Sequence, residues 1–99
     1  MTKIKVDPFP IKGGDKVRIE YDGMLAQNGA DQIYLHAEMV NHQDMKDIRD
    51  IRMYEKQGIW TTEVDVPQEY EEFNLSFKDS ANNLDNNYGD NWTYTIVHS

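Results

Sequence analysis

The sequence predicts an all-β protein, an antiparallel β-sandwich of immunoglobulin-like outline. Apolar and polar residues alternate along several short segments, as they do in strands that bury one face and expose the other. Glycine, asparagine and aspartate separate these segments, for example in "DGMLAQNGAD", and they are the residues that turns require. About six or seven short strands, with turns about every 8 to 12 residues, are typical of a sandwich. A chain of 99 residues has room for one domain, residues 1–99, with one modest core.

The alternation assigns a buried face to each strand in turn. The first strand lies within "KIKVDPF", and Pro8 and Pro10 suit the edge of a sheet because proline has no N–H to donate. Pro67 ends a later strand for the same reason. The buried faces predicted for the remaining strands are Val17, Ile19 and Tyr21; Ile33, Leu35 and Ala37; Trp60, Thr62, Val64 and Val66; Phe73, Leu75 and Phe77; and Trp92, Tyr94 and Ile96.

The segment "NHQDMKDIRDIRMY" has two interpretations. The spacing of Met45, Ile48 and Ile51 suits about one or two helical turns. A loop that leads into a strand around residues 51–54 fits equally well.

Net charge limits the possible partners. The formal charge of −8 disfavours nucleic acid and anionic membranes, because both would repel the protein. The absence of cysteine excludes disulfides and thiolate metal sites. No leader segment and no apolar stretch of about 18 residues is found. We therefore expect a soluble monomer, cytoplasmic as the sequence stands, or extracellular if the domain was excised from a longer secreted protein.

Catalysis is not expected from this sequence. Ser76, Ser80 and Ser99 stand in no nucleophile-elbow context. Some carboxylate pairs will approach one another by chance among 18 acidic residues. Pairs such as Glu71 with Glu72 and Asp47 with Asp50 most simply lie on solvated faces.

The run "NNLDNNYGDN" carries the chemistry worth considering. Its oxygen ligands suit a structural calcium ion, although its glycine and acid spacing is not that of an EF-hand loop. The three histidines lack the spacing of a helical zinc site. Asn and Asp also bond to the backbone of their own turns. A third possibility is carbohydrate, because amides exchange hydrogen bonds with hydroxyls while flat aromatic rings pack on sugar faces.

Longer segments carry a family resemblance. "GIWTTEVDVP", "FNLSFKDS" and "LDNNYGDNWTYTIV", read in order, resemble the starch-binding modules of carbohydrate-binding families 25 and 53. Those modules have a G-x-W strand ending in V-x-V-P, an F-x-D strand end and a W-D-N-N-x-G-x-N-Y element. Upstream, "VRIEYDG" and "IYLHAEM" look like the first two strands of the family. The resemblance covers residues 16–97, and the D-N-N-x-G-x-N element is its most specific part.

The resemblance implies a β-sandwich that binds α-glucans such as starch or glycogen, usually as a non-catalytic appendage of a secreted amylase-type enzyme. No cofactor is expected. The family builds its sugar platform from the histidine of the L-H strand, a tryptophan in the following loop and the tryptophan before D-N-N. His36 matches the histidine, "MVNHQDMKD" has no aromatic residue, and Leu84 replaces the last tryptophan. The carbohydrate site implied in this way comprises His36, Lys78, Leu84, Asp85, Asn86, Asn87 and Tyr88. The alternative is a protein-interaction β-sandwich that has lost the sugar platform.

Overall fold

The computed structural model of the chain describes residues 4–41 and 46–98. The helix α1 (Met24–Gln27) and a 3-10 turn (Asn87–Gly89) accompany the strands. The described strands are β1 (Ile4–Asp7), β2 (Ile11–Lys12), β3 (Lys16–Tyr21), β4 (Ile33–Val40), β5 (Lys46–Arg52), β6 (Tyr54–Lys56), β7 (Ile59–Asp65), β8 (Glu72–Asp79), β9 (Leu84–Asp85) and β10 (Trp92–Val97).

The strands form two sheets that pack as a β-sandwich, which confirms the predicted fold class. One sheet has the order β1-β3-β7-β6, and the other has the order β2-β10-β8-β4-β5, with β9 added to β8. All the pairs are antiparallel except β2 with β10. The N-terminal segment contributes β1 to one sheet and β2 to the other. The remaining order is that of an immunoglobulin-like sandwich with one added edge strand.

The core lies between the sheets, and most residues of the predicted inward faces belong to it or pack against it. Burial alternates strictly along β3 and β4, as the period of a strand requires. The Phe77 ring stacks on Tyr21 with centroids 4.1 Å apart, and Trp92 meets Phe77 edge-on at 5.7 Å. Trp60 is 8% exposed, so the prediction that it belongs to the core is confirmed.

Two segments differ from the sequence-based expectation. Residues 46–52 form the edge strand β5, so the helical alternative for this segment is wrong and the strand begins earlier than expected. Ile48 points outward while Ile51 packs against the core, which is the period of a strand. His42 and Met45 lie outside the described residues. The segment "DGMLAQNGAD", expected to be a turn, contains α1, which buries Leu25.

Gly23 allows α1 to approach the sheet closely. A Cβ atom at this position would lie 2.5 Å from Cε1 of Tyr21, closer than side chains tolerate. The glycine therefore lets the backbone pass beside the tyrosine ring. The Leu25 N–H then donates to the Tyr21 hydroxyl at 3.1 Å.

Candidate functional site

The outward face of the larger sheet brings together residues that are distant in the sequence. Lys78 of β8 lies opposite Tyr34 of β4 on one side and opposite Leu84 of β9 on the other. His36 lies opposite Asp50 of β5. Because Phe77 points inward, Lys78 must point outward, and strand alternation puts His36 on the same side. We call this surface, formed by Tyr34, His36, Asp50, Lys78 and Leu84, the sheet face.

Asp50 links the two basic side chains of the sheet face. Its Oδ1 lies 2.8 Å from His36 Nδ1 and 3.6 Å from Lys78 Nζ. The hydrogen bond from His36, with a further contribution from Lys78, lowers the pKa of the Asp50 carboxyl below its ordinary value. All three side chains remain between 38% and 46% exposed. Imidazole, carboxylate and ammonium groups are therefore available to a ligand.

Leu84 and Asp85 are neighbours in β9, so their side chains point to opposite sides of the sheet. Leu84 is 59% exposed. Asp85 lies on the inner side, opposite Phe77, and accepts a hydrogen bond from the Tyr21 hydroxyl. Burial and this hydrogen bond raise the pKa of Tyr21. Asp85 therefore ties β9 to the other sheet.

The turn that leads into β9 is organised by Asp79, which is 9% exposed. Its Oδ1 accepts from the backbone N–H of Ala81 at 2.9 Å and of Asn83 at 2.8 Å. Its Oδ2 accepts from the Asn83 side-chain amide at 2.9 Å. These hydrogen bonds, those from Asn83 first, lower the pKa of Asp79. The turn directs Leu84 back alongside Lys78.

The amides after β9 shape the next loop. Asn86 Oδ1 accepts from the backbone N–H of Gly89 at 3.1 Å, and Asn87 Nδ2 donates to the Asn91 carbonyl at 3.0 Å. Asn87, Tyr88 and Gly89 all have left-handed backbone conformations, with φ of 55°, 58° and 96°. Asparagine and glycine adopt this region readily, whereas tyrosine does so at a cost. The Tyr88 side chain is fully exposed.

Two grooves flank Leu84. One, of about 500 Å³, lies between the end of β3 and the loop after β9, and we call it the Tyr88 groove. Its lining includes Tyr21, Leu84, Asn86, Asn87, Tyr88 and Trp92. The other, also about 500 Å³, lies between α1 and the turn at Asp79. Leu84 lines both grooves and also lies on the sheet face.

The predicted site residues therefore fall into three groups. His36, Lys78 and Leu84 share the sheet face. Asn86, Asn87 and Tyr88 line the groove on the far side of Leu84. Asp85 also lines this groove, but its carboxylate is bonded to Tyr21.

Sequence reasoning missed Asp50 and Tyr34 as neighbours of the site. Asp50 had been assigned to a solvated face. The segment "KDIRDIR" offered little signal, because it carries charged residues on both faces of the strand. The pairing of Asp50 with His36 depends on the register, which no local pattern reports.

Within residues 4–41 and 46–98, no group of three or more His, Asp or Glu side chains is placed to hold a metal ion. In the same residues, no helix has the length and apolar character needed to cross a bilayer.

Comparison with known proteins adds no relative: no protein-family model, curated protein or solved structure matches the chain.

Proposed function

We propose that the protein is a non-catalytic carbohydrate-binding module that binds α-glucans such as starch, glycogen or maltooligosaccharides. The binding surface comprises the sheet face and the adjoining segment from Leu84 to Tyr88. One observation carries the proposal: the pairing of β4, β8 and β9 brings His36, Lys78 and Leu84 together on one exposed face. These positions include two that correspond to the sugar platform of the starch-binding modules.

The groups on the sheet face are suited to hydroxyl-rich ligands. The Lys78 ammonium donates only, the Asp50 carboxylate accepts only, and the His36 imidazole can do either. Adjacent sugar hydroxyls, each both donor and acceptor, can therefore be matched without burying an unpaired charge. Leu84 offers an apolar contact for the C–H face of a ring.

Binding is expected to be weak because leucine has no planar face. Leu84→Trp restores the aromatic side chain, and one stacked ring contributes about 1 kcal/mol beyond area burial, or roughly fivefold in Kd. Titration with maltoheptaose, followed by amide NMR shifts, measures the change. Ile48→Trp is the matched control, because Ile48 is 54% exposed on the same side of the sheet. An unchanged Kd in correctly folded Leu84→Trp would count against the site.

Titration of the unmodified protein tests the function itself. Maltoheptaose or glycogen is expected to shift the amide resonances of His36, Lys78 and residues 84–88. Trp92 lines the Tyr88 groove, so tryptophan fluorescence provides a second signal. The absence of any response at millimolar maltoheptaose would refute the proposal.

A protein-interaction role is the second candidate. It is favoured by the exposure of Met24 (51%), Leu84 (59%) and Tyr88 around one groove. Clustered apolar side chains of this kind occur at protein-binding surfaces. If neither maltoheptaose nor glycogen binds, the protein-interaction role becomes the better hypothesis.

A further inference from the structure

Each of the two side-chain amides beside Tyr88 uses only one of its polar atoms in hydrogen bonds within the protein. Asn86 uses Oδ1 to accept from Gly89, and Asn87 uses Nδ2 to donate to Asn91. The backbone partners settle which atom is oxygen and which is nitrogen, because an N–H must donate and a carbonyl must accept. Neither Asn86 Nδ2 nor Asn87 Oδ1 has a partner in the described part of the chain. Neighbouring residues thus hold one free donor and one free acceptor.

Both amides line the Tyr88 groove, and the same groove has an aromatic residue at its edge. The Tyr88 side chain is fully exposed, and its backbone has φ 58° and ψ 34°. The loop therefore holds a large apolar ring in water at a conformational cost. A ligand that covers the ring would bury apolar area that folding leaves exposed.

We propose, resting on the proposed function, that the Tyr88 groove is a second subsite for one pyranose ring of the same glucan chain. Tyr88 stacks on the face of that ring. Asn86 Nδ2 donates to one of its hydroxyls, and Asn87 Oδ1 accepts from the adjacent hydroxyl. The volume of about 500 Å³ is within the usual range for small-ligand sites, roughly 300 to 1,000 Å³.

Leu84 belongs to the sheet face and also lines the Tyr88 groove, so the two surfaces meet at this side chain. A glucan chain that crosses Leu84 therefore engages both surfaces. The second contact is then intramolecular, which raises the affinity without any new ligand. Maltoheptaose should accordingly bind more tightly than maltotriose, by roughly tenfold or more.

Substitution of Asn86 isolates the free donor. Asn86→Asp keeps the oxygen that accepts from Gly89 and removes the side-chain N–H group that has no partner in the fold. Tyr88→Ala removes the stacking ring. The charge control is Asn82→Asp, since Asn82 is an exposed asparagine in the neighbouring turn that lines neither groove. The control for loss of an aromatic is Tyr54→Ala, since Tyr54 is 64% exposed on β6.

The experiment measures maltotriose and maltoheptaose binding by amide NMR, with thermal melts to confirm folding. Asn86→Asp and Tyr88→Ala should each weaken maltoheptaose binding by roughly fivefold and abolish the shifts of residues 86–89. The shifts of His36 and Lys78 should persist, and both controls should bind like the unmodified protein.

The possible failures have different meanings. Variants that bind maltoheptaose like the unmodified protein, with shifts confined to the sheet face, would overturn the second subsite and remove residues 86–88 from the proposed binding surface. Glucan binding at the sheet face, and with it the proposed function, would stand. An unmodified protein that binds neither oligosaccharide would overturn both.

Discussion

Replacing Tyr21 by phenylalanine should show how much the hydrogen bond between β9 and the core contributes to stability. The change keeps the ring and its stacking on Phe77 at 4.1 Å. It removes only the hydroxyl, which donates to the Asp85 carboxylate and accepts from the Leu25 N–H at 3.1 Å. Leu25 is 3% exposed, so its N–H has little access to water as a substitute partner.

The expected loss of stability follows from these two hydrogen bonds. A hydrogen bond to a charged group contributes about 1.5–3 kcal/mol, and a buried donor left unsatisfied costs about 1–3 kcal/mol. Asp85 is only partly buried and regains some hydration, so the sum is about 2–4 kcal/mol. A domain of this size has a total stability of about 5–15 kcal/mol. The melting temperature should fall by at least about 10 °C.

Urea and thermal unfolding followed by circular dichroism provide the measurement. Tyr94→Phe is the matched control, because the Tyr94 hydroxyl has no hydrogen-bond partner among the described residues. The control should change stability by no more than about 0.5 kcal/mol. If Tyr21→Phe proved as mild as Tyr94→Phe, the inferred tie between β9 and the core would be incorrect.

Three further outcomes are expected. Because the pKa of Tyr21 is raised, its contribution to the free energy of unfolding is complete below about pH 10 and is lost as the pH rises further. Between pH 9 and pH 11, urea unfolding should therefore show a smaller fall in stability for Tyr21→Phe than for the unmodified protein. The pKa of Asp50 is lowered, so Asp50→Asn should destabilise by at most about 1 kcal/mol at pH 7, given its exposure, and the difference should vanish as the pH falls below about 4. Trp60→Ala should cost about 3–5 kcal/mol in urea melts, whereas Tyr54→Ala should cost little.

The strands β3, β4 and β8 were predictable because each buries one face. The residues at every second position in β3, β4 and β8 form the core, and alternation of this kind is visible without any tertiary information. The edge strand β5 was ambiguous because it exposes Ile48 and carries charges at most of its other positions. Its apolar residues at 48 and 51 are three apart, a spacing that a helix also produces.

The site was less predictable than the fold because it depends on strand register. That Leu84 lies beside Lys78, and Asp50 beside His36, follows from pairing between distant segments. The backbone bonds of Asn86 and Asn87 were foreseeable from the turn chemistry of asparagine. The hydrogen-bond partner of Asp85 was not foreseeable, because its carboxylate accepts from a tyrosine hydroxyl of the other sheet and not from the backbone.

The segment from Leu84 to Asn87 thus contains atoms that hold the loop in place and atoms that have no role in folding. Asp85, Asn86 Oδ1 and Asn87 Nδ2 hold the loop in place, whereas the Leu84 side chain, Asn86 Nδ2 and Asn87 Oδ1 are free for a ligand. Selection for folding alone would retain the aspartate and both asparagines but would leave position 84 unconstrained. A leucine at position 84 is therefore compatible with an intact loop, and Leu84→Trp can alter binding without disturbing the hydrogen bonds that position it.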